Sequence, residues 1–169
     1  MMGIHRDYVI GLFADSHGDT DSLERLLRKM GPVDAVLFLG DINRDAEYLE
    51  ALLQEEAQNP PVFFAVQGNK DFGREYPGSL VICLNGQKIW MEHGHMTGCV
   101  RDVADHARQN GAGIAVFGHT HHPLVDMVGG ILVVNPGSAG RYVRGGPPRA
   151  SCLILGRGTP KIRDVFLGL

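Results

Sequence analysis

The sequence predicts an α/β fold of two mixed β-sheets packed face to face, with helices outside. Three observations carry this. Up to Val66, short apolar runs alternate with segments of helical period. From Leu80 onward, strand-like runs are mostly joined by tight turns. Small islands of His, Asp and Asn stand directly after the apolar runs, where loops at strand ends would lie.

Tyr8 to Ala14 is continuously apolar and short, the pattern of a buried strand. Asp15 and His17 follow at once without a small-residue cleavage pattern, so the run is read as a strand and not a leader. Leu23, Leu26, Leu27 and Met30 share one helical face. Asp21, three residues before Glu24, predicts the start of that helix, and Gly31-Pro32 its end. A second unit repeats the order: Ala35 to Leu39 as a strand, then Ala46, Leu49, Leu52 and Leu53 on a helix stopped by Asn59-Pro60-Pro61. Val62 to Val66 is the third strand. Alternation of this kind calls for parallel strands with right-handed crossovers. Leu80 to Leu84 and Gln87 to Glu92 flank Asn85-Gly86, a two-residue hairpin signal. Val100, Val103, Ala104 and Ala107 predict one more helix, closed by Gly111, before a strand at Ile114 to Phe117. Leu124 to Val128 with Ile131 to Val134, and Ser151 to Leu155 with Lys161 to Phe166, read as two further hairpins. The back half is therefore expected to be mostly antiparallel.

At 169 residues, with 44% apolar and 21% charged residues, the chain is expected to form a single domain over 1–169. A net charge of −3 supplies no basic field for nucleic acid, although a nucleotide held locally stays compatible with it. No apolar stretch approaches the ~20 residues that span a bilayer. Cys83, Cys99 and Cys152 are widely spaced and form no C-x-x-C, so reduced, buried and inert thiols in a cytoplasmic protein are expected.

The islands are Asp15-Ser-His17, Gly40-Asp41, Gly68-Asn69, His93-Gly-His95 and Gly118-His119-Thr-His121. Taken singly, each is an ordinary turn or hydrogen-bonded loop. Together they take five of the eight histidines and stand at successive strand ends, which independent turns do not explain. On an extended chain Asp15 and His17 would project to one face and bind one ion, and His119 and His121 repeat that spacing. Asp41 offers two oxygens that can join two ions, and Asn69 offers a neutral carbonyl. In open α/β sheets such loops gather at one edge. Mixed oxygen and imidazole donors suit hard-to-borderline divalent ions. His5 and His106 are expected to face solvent, while His122 has no assigned context.

D-x-H, G-D, G-N, H-G-H and G-H-x-H, in that order, resemble the calcineurin-like metallophosphoesterase superfamily. The short length and Asn135-Pro-Gly-Ser138 resemble its small single-domain phosphodiesterase branch. The resemblance implies a four-layer α/β/β/α sandwich and a site for two divalent ions, manganese first, with iron, zinc, nickel and cobalt as further fits. It implies that Asp15, His17, Asp41 and His121 hold one ion, and that Asp41, Asn69, His93 and His119 hold the other. The implied reaction is hydrolysis of a phosphodiester, or a phosphomonoester, through a metal-bridging hydroxide, with Asp41 and Asn69 at its centre. The substrate would be a phosphate-ester small molecule or a nucleotide. One departure stands out: many members read G-N-H where this chain has Gly68-Asn69-Lys70. Lysine is a fixed cation that can bind a phosphate oxygen but is a poor proton donor near neutrality; the alternative is a surface lysine paired with Asp71. His95 then becomes a candidate acid for the leaving group. Arg141 and Arg144, after the Asn-Pro-Gly-Ser segment, are candidates to hold a phosphate bidentately, or else belong to a solvated basic loop. Two other readings compete: a protein-interaction scaffold that keeps the site with little catalysis, as the family's retromer relative does, and a one-metal hydrolase of C–N or C–O bonds. A symmetric homodimer is compatible with any of them.

Overall fold

Continuous burial along the first strands, with successive side chains pointing to opposite faces, sets the layers. The computed structural model describes residues 6–73, 75–141 and 146–168. Strand β1 (Tyr8–Phe13), helix α1 (Thr20–Met30), β2 (Ala35–Phe38), α2 (Asn43–Glu56) and β3 (Val62–Ala65) form the front half. The hairpin β4 (Ser79–Leu84) and β5 (Gln87–Glu92), helix α3 (Val100–Gln109), and β6 (Ile114–Val116) follow. The chain closes with β7 (Leu124–Val128), β8 (Ile131–Asn135), β9 (Arg149–Leu155) and β10 (Lys161–Phe166).

The strands make two five-stranded sheets, ordered β10-β9-β1-β2-β3 and β4-β5-β6-β8-β7. Ile10, Leu12, Leu37 and Leu153 of the first sheet meet Ile89, Met91, Val116 and Val134 of the second in one core between the sheets. Phe13, Val36 and Phe38, alternating with them, face outward onto Leu23, Leu26 and Leu49 of α1 and α2. Ala115, Phe117 and Val133 pack outward onto Val103, Ala104 and Ala107 of α3. Strands covered on both faces read as continuous apolar runs, which is why β1 and β2 carry so little polarity. Each fully buried Leu, Ile or Phe contributes about 1.5–3 kcal/mol. The layers are helix, sheet, sheet, helix.

The front half matches expectation, with β1 parallel to β2 and β2 to β3. Helix α1 begins two residues earlier than its sequence signal. Asp19, not Asp21, caps it, accepting the Ser22 amide at 3.0 Å, while Asp21 sits in the first turn where a negative charge complements the helix dipole. The back half departs more. Its hairpins are present, but β5, β6 and β8 run parallel, with α3 crossing between β5 and β6. The last hairpin leaves this sheet altogether, and β9 pairs antiparallel with β1. The expectation of three buried thiols fails at two of them. Cys152 is buried, but Cys83 and Cys99 are exposed, Cys83 because it lies on the uncovered face of the edge strand β4. Among the described residues no helix is long and apolar enough to cross a membrane.

The parallel trios have a direct consequence for function. The carboxyl ends of β1, β2 and β3 in one sheet, and of β5, β6 and β8 in the other, open at one edge of the sandwich. Every island of His, Asp and Asn follows one of those ends.

Candidate metal centre

Asp15, His17 and His121 present ligand atoms within 4.8 Å of one another, and so do Asp15, Asp41 and His93. His121 Nε2 lies 3.3 Å from Asp15 Oδ1 and 3.3 Å from His17 Nε2. His93 Nε2 lies 3.5 Å from Asp41 Oδ2, 3.7 Å from Asp15 Oδ1 and 3.0 Å from Asn69 Oδ1. His17 Nε2 stands 3.8 Å from Asp41 Oδ2. The His119 ring is edge-on to His93, with centroids 5.1 Å apart, outside both close groups. Thus the loops after β1 and β2 deliver the carboxylates and His17, and the loops after β5 and β6 deliver the other imidazoles from the opposite sheet.

The second atoms of these ligands are already committed. His93 Nδ1 contacts the Leu39 carbonyl at 2.7 Å; a proton there, which the contact requires, leaves Nε2 as a free lone pair. Asp15 Oδ2 accepts the His119 amide at 2.8 Å, and Asp41 Oδ1 accepts the Lys70 amide at 3.0 Å. Their other oxygens turn to the imidazoles. Asp15 Oδ1 is buried without a hydrogen-bond partner. A wholly buried carboxylate oxygen left in that state is costly unless a cation meets it. The orphaned oxygen, the facing ring nitrogens and the mixed N/O donor set therefore fit divalent ions.

Glycine makes this density of ligands possible at two positions in particular. A Cβ on Gly68 would fall on the Asp41 carboxylate and 2.7 Å from the Asp41 amide nitrogen. On Gly118 it would sit 2.8 Å from Asp15 Oδ2. The backbone is also bent where the sequence reading expected it extended. Asp15, His17, Asp41, His119 and His121 all have positive φ, between 45° and 66°. Left-handed conformations of this kind cost on the order of 1 kcal/mol or more per residue and persist where the surroundings over-determine them. Asp15 and His17 do converge, but through a left-handed turn and not by strand alternation. His119 and His121 are separated by the same bend, one beside His93 and the other beside His17.

Charge tunes the cluster. Burial alone would lower the His93 pKa, but the Asp41 and Asp15 carboxylates outweigh it and raise the value. His121 is raised by the Asp15 carboxylate, whose Oδ1 stands 3.3 Å from its ring nitrogen. Asp41 is held below the usual carboxylate range, the contacts from His93 and the Lys70 amide prevailing over burial. Burial, then the neighbouring His93, lowers both His95 and His119.

Further residues brace the cluster, and of these Asp45 gave no sequence signal. Asp45, buried on α2, accepts from Ser16 Oγ at 2.5 Å and the Gly18 amide at 2.7 Å, fixing the loop after β1. Asn135 Nδ2 donates to the Gly118 carbonyl at 2.8 Å, and Ser138 Oγ donates to the Asp15 carbonyl at 2.8 Å. The Asn-Pro-Gly-Ser segment thus braces two ligand loops. Lys70 is exposed at the rim, and the pairing with Asp71 is replaced by two backbone amides, those of Asn43 and Gly68, each donating to Asp71 at 2.6 Å. Arg141 donates to Asp21 at 2.9 Å, and its amide donates to Asp19 at 2.8 Å. Arg144 and His5 lie outside the described residues. His106, expected to be a solvent-facing residue, instead bonds Glu92 at 2.8 Å because α3 folds over β5. His122 is exposed.

Two mixed sheets between helix layers, with this cluster at the joined strand ends, define a metallophosphoesterase fold. The calcineurin-like phosphoesterase superfamily domain matches residues 9–156, and the chain belongs to that superfamily. It is 28% identical over 131 residues to the Bacillus subtilis (strain 168) protein named "Probable metallophosphoesterase YsnB", covering 75% of this chain and 72% of that protein. The crystal structure of a predicted phosphoesterase from Streptococcus pneumoniae TIGR4 aligns with a TM-score of 0.74 at 28% identity, over 97% of this chain and 95% of that one. Wild-type Vps29 from Entamoeba histolytica, solved with Zn²⁺, shares the fold, with a TM-score of 0.66 and 23% identity over 94% of this chain and 98% of its own.

Proposed function

We propose that this chain is a two-metal phosphodiesterase whose phosphorus-binding site is the Asp15–Asp41–His93–His121 cluster. The observation that carries the reading is the orphaned oxygen of Asp15, buried beside Asp41 and facing imidazoles from the opposite sheet. Asp15, His17, Asp41 and His121 would hold one ion; Asp41, Asn69, His93 and His119 would hold the other. Such a pair would supply an activated water and offset the negative charge of phosphoryl oxygens.

The chain's own groups do the rest. Ser16 and Ser138 are buried and donate to Asp45 and to the Asp15 carbonyl, and Thr120 accepts from Asn135, so these hydroxyls serve the loops, and the reading assigns the attack to water. Lys70, at the exposed rim, would draw a phosphate oxygen toward the site as a point charge. His95, lowered by burial and by His93, is neutral near pH 7 and orients the leaving group more readily than it protonates it. Arg141 can join a substrate phosphate only by exchanging its bond to Asp21. Leaving groups that need no proton are therefore favoured, and activated aryl diesters should turn over far faster than alkyl phosphates. The unpaired thiols Cys83, Cys99 and Cys152 are consistent with a reducing, cytoplasmic setting.

The test is hydrolysis of bis-p-nitrophenyl phosphate by metal-stripped protein titrated with Mn²⁺ and, separately, Zn²⁺, beside Asn69→Ala. Activity should rise to a plateau near two ions per chain. Asn69→Ala should lose at least about 100-fold, since even the outer partners of metal ligands are worth about 10–100-fold. A plateau at one ion would move the reading to a one-metal hydrolase. Ion binding without turnover would move it to a binding scaffold.

A further inference from the structure

His17 has little support of its own. His93, facing it from the opposite sheet, is held through its ring by the Leu39 carbonyl at 2.7 Å. Among the described residues the His17 ring hydrogen-bonds only His121, 3.3 Å away and inside the cluster. Its backbone is left-handed, with φ 47°, a conformation that non-glycine residues keep only where the surroundings over-determine it. Something outside the residue must therefore hold the bend.

That support comes from α2. Asp45 stands in its first turn, and Oδ2 accepts from Ser16 Oγ at 2.5 Å and from the Gly18 amide at 2.7 Å. Those two donors are the residues on either side of His17. Ser16 is 1% exposed and Asp45 2%, so water does not compete for the contact between them. Carboxylate acceptors at such distances make the stronger class of hydrogen bond. Ser16 Oγ also lies 3.4 Å from the Asp41 carbonyl, which ties the loop after β1 to the loop after β2. A buried carboxylate is costly to keep, and both of these bonds converge on one candidate ligand. The other ligands are held independently. The Asp15 amide donates to the Gly40 carbonyl at 3.0 Å, its carbonyl accepts from Ser138, and its Oδ2 accepts the His119 amide. Asp41 is held by the Lys70 amide. Loss of Asp45 would thus free His17 and leave the rest in place.

We propose that Asp45 is a positioning residue for His17, fixing the Ser16–Gly18 bend in advance and so setting the affinity of the ion held by Asp15, His17 and His121. The ion beside Asn69 and His93 does not depend on it. A ligand ordered before binding spares the ion the cost of ordering it. The proposal rests on the metal reading of the cluster, not on its hydrolytic activity.

The full chain, stripped of metal, is titrated with buffered free Zn²⁺ while the ring signals of His17 and His93 are followed separately in ¹H–¹⁵N correlation spectra. Wild type is run beside Asp45→Ala, Ser16→Ala and Asp45→Asn. Asp45→Ala should move the His17 midpoint to at least about tenfold higher Zn²⁺ and leave the His93 midpoint within about twofold, since outer partners of metal ligands are worth about 10–100-fold. Ser16→Ala removes one of the two bonds and keeps the carboxylate, so it should shift His17 alone in the same direction; it carries the test if Asp45→Ala fails to fold. Asp45→Asn keeps an oxygen for both donors without the charge and should recover most of the loss. Equal shifts at both rings would show general damage, and unmoved midpoints would show no positioning; either overturns the proposal. A loss in Asp45→Asn as large as in Asp45→Ala overturns it as well and assigns the effect to charge. Wild-type rings that ignore Zn²⁺ would remove the metal reading and the proposal with it. Rings that respond without diester hydrolysis, with the His17 shift as expected, support the proposal and remove only the phosphodiesterase.

Discussion

Gly68 and Asp41 occupy one another's space so closely that a single methyl group decides whether the carboxylate keeps its place. Gly68→Ala should cost about 1–3 kcal/mol, the usual range for overpacking, and abolish high-affinity metal binding; chemical denaturation and isothermal titration of the variant check both. Wild-type affinity in that variant would show that Asp41 is not a ligand. Proton competition belongs to this scale too. The carboxylates hold the His93 and His121 protons to pH values above the ordinary 6.5. Metal must displace those protons, so apparent affinity should rise as pH climbs through the raised values. Calorimetric titrations between about pH 6 and 8 showing no change would contradict this. The members of the candidate cluster were legible in the sequence because islands of Asp, His and Asn at successive strand ends are unusual. The bends were not, since positive φ at Asp15, Asp41 and His119 leaves no mark in non-glycine residues.

Helix α3 begins without a strong cap at its first position and relies on Asp102, whose Oδ2 accepts the Gly98 and Cys99 amides at 2.8 and 3.0 Å. Those backbone bonds lower the Asp102 pKa below the ordinary 3.8. A depressed carboxylate stabilises fully above its unfolded value and loses that contribution as pH falls through the folded one. Asp102→Asn should therefore lower Tm at neutral pH, and the gap from wild type should close on acidification below 3.8; melts across that range provide the check. At the scale of elements the strands were readable from apolar runs and Asn85-Gly86, and the helices from their periodicity. Partner choice was not. Ile114–Val116 is three apolar residues long, and nothing local says that it runs parallel to both β5 and β8. Asp45 and Glu92 were invisible for a related reason: a lone carboxylate on an element gains its role only from the loops folded against it.

Across the whole molecule the candidate ligands come from both sheets, Asp15 and Asp41 from one and His93, His119 and His121 from the other. Ions bound there would tie the sheets together, so Tm should climb with metal concentration, by about 2.7 kcal/mol of stability at a hundredfold excess over Kd, and fall back with EDTA. Scanning calorimetry at several Mn²⁺ levels measures this, and an unmoved Tm would show that no ion bridges the sheets. The four-layer arrangement was foreseeable because two apolar sheet faces must cover each other. The return of the last hairpin was not, because pairings such as Gly11 with Cys152 link chain segments with no local signal between them. That pairing also bears on synthesis. Strand β1 lies at the centre of its sheet, yet the neighbour on one side, β9, leaves the ribosome after every other described strand except β10. Until Arg149–Leu155 emerges, the nascent chain carries an apolar strand with one open edge, a template for pairing with other chains. Covering that edge until the last hairpin returns is therefore part of reaching the folded state.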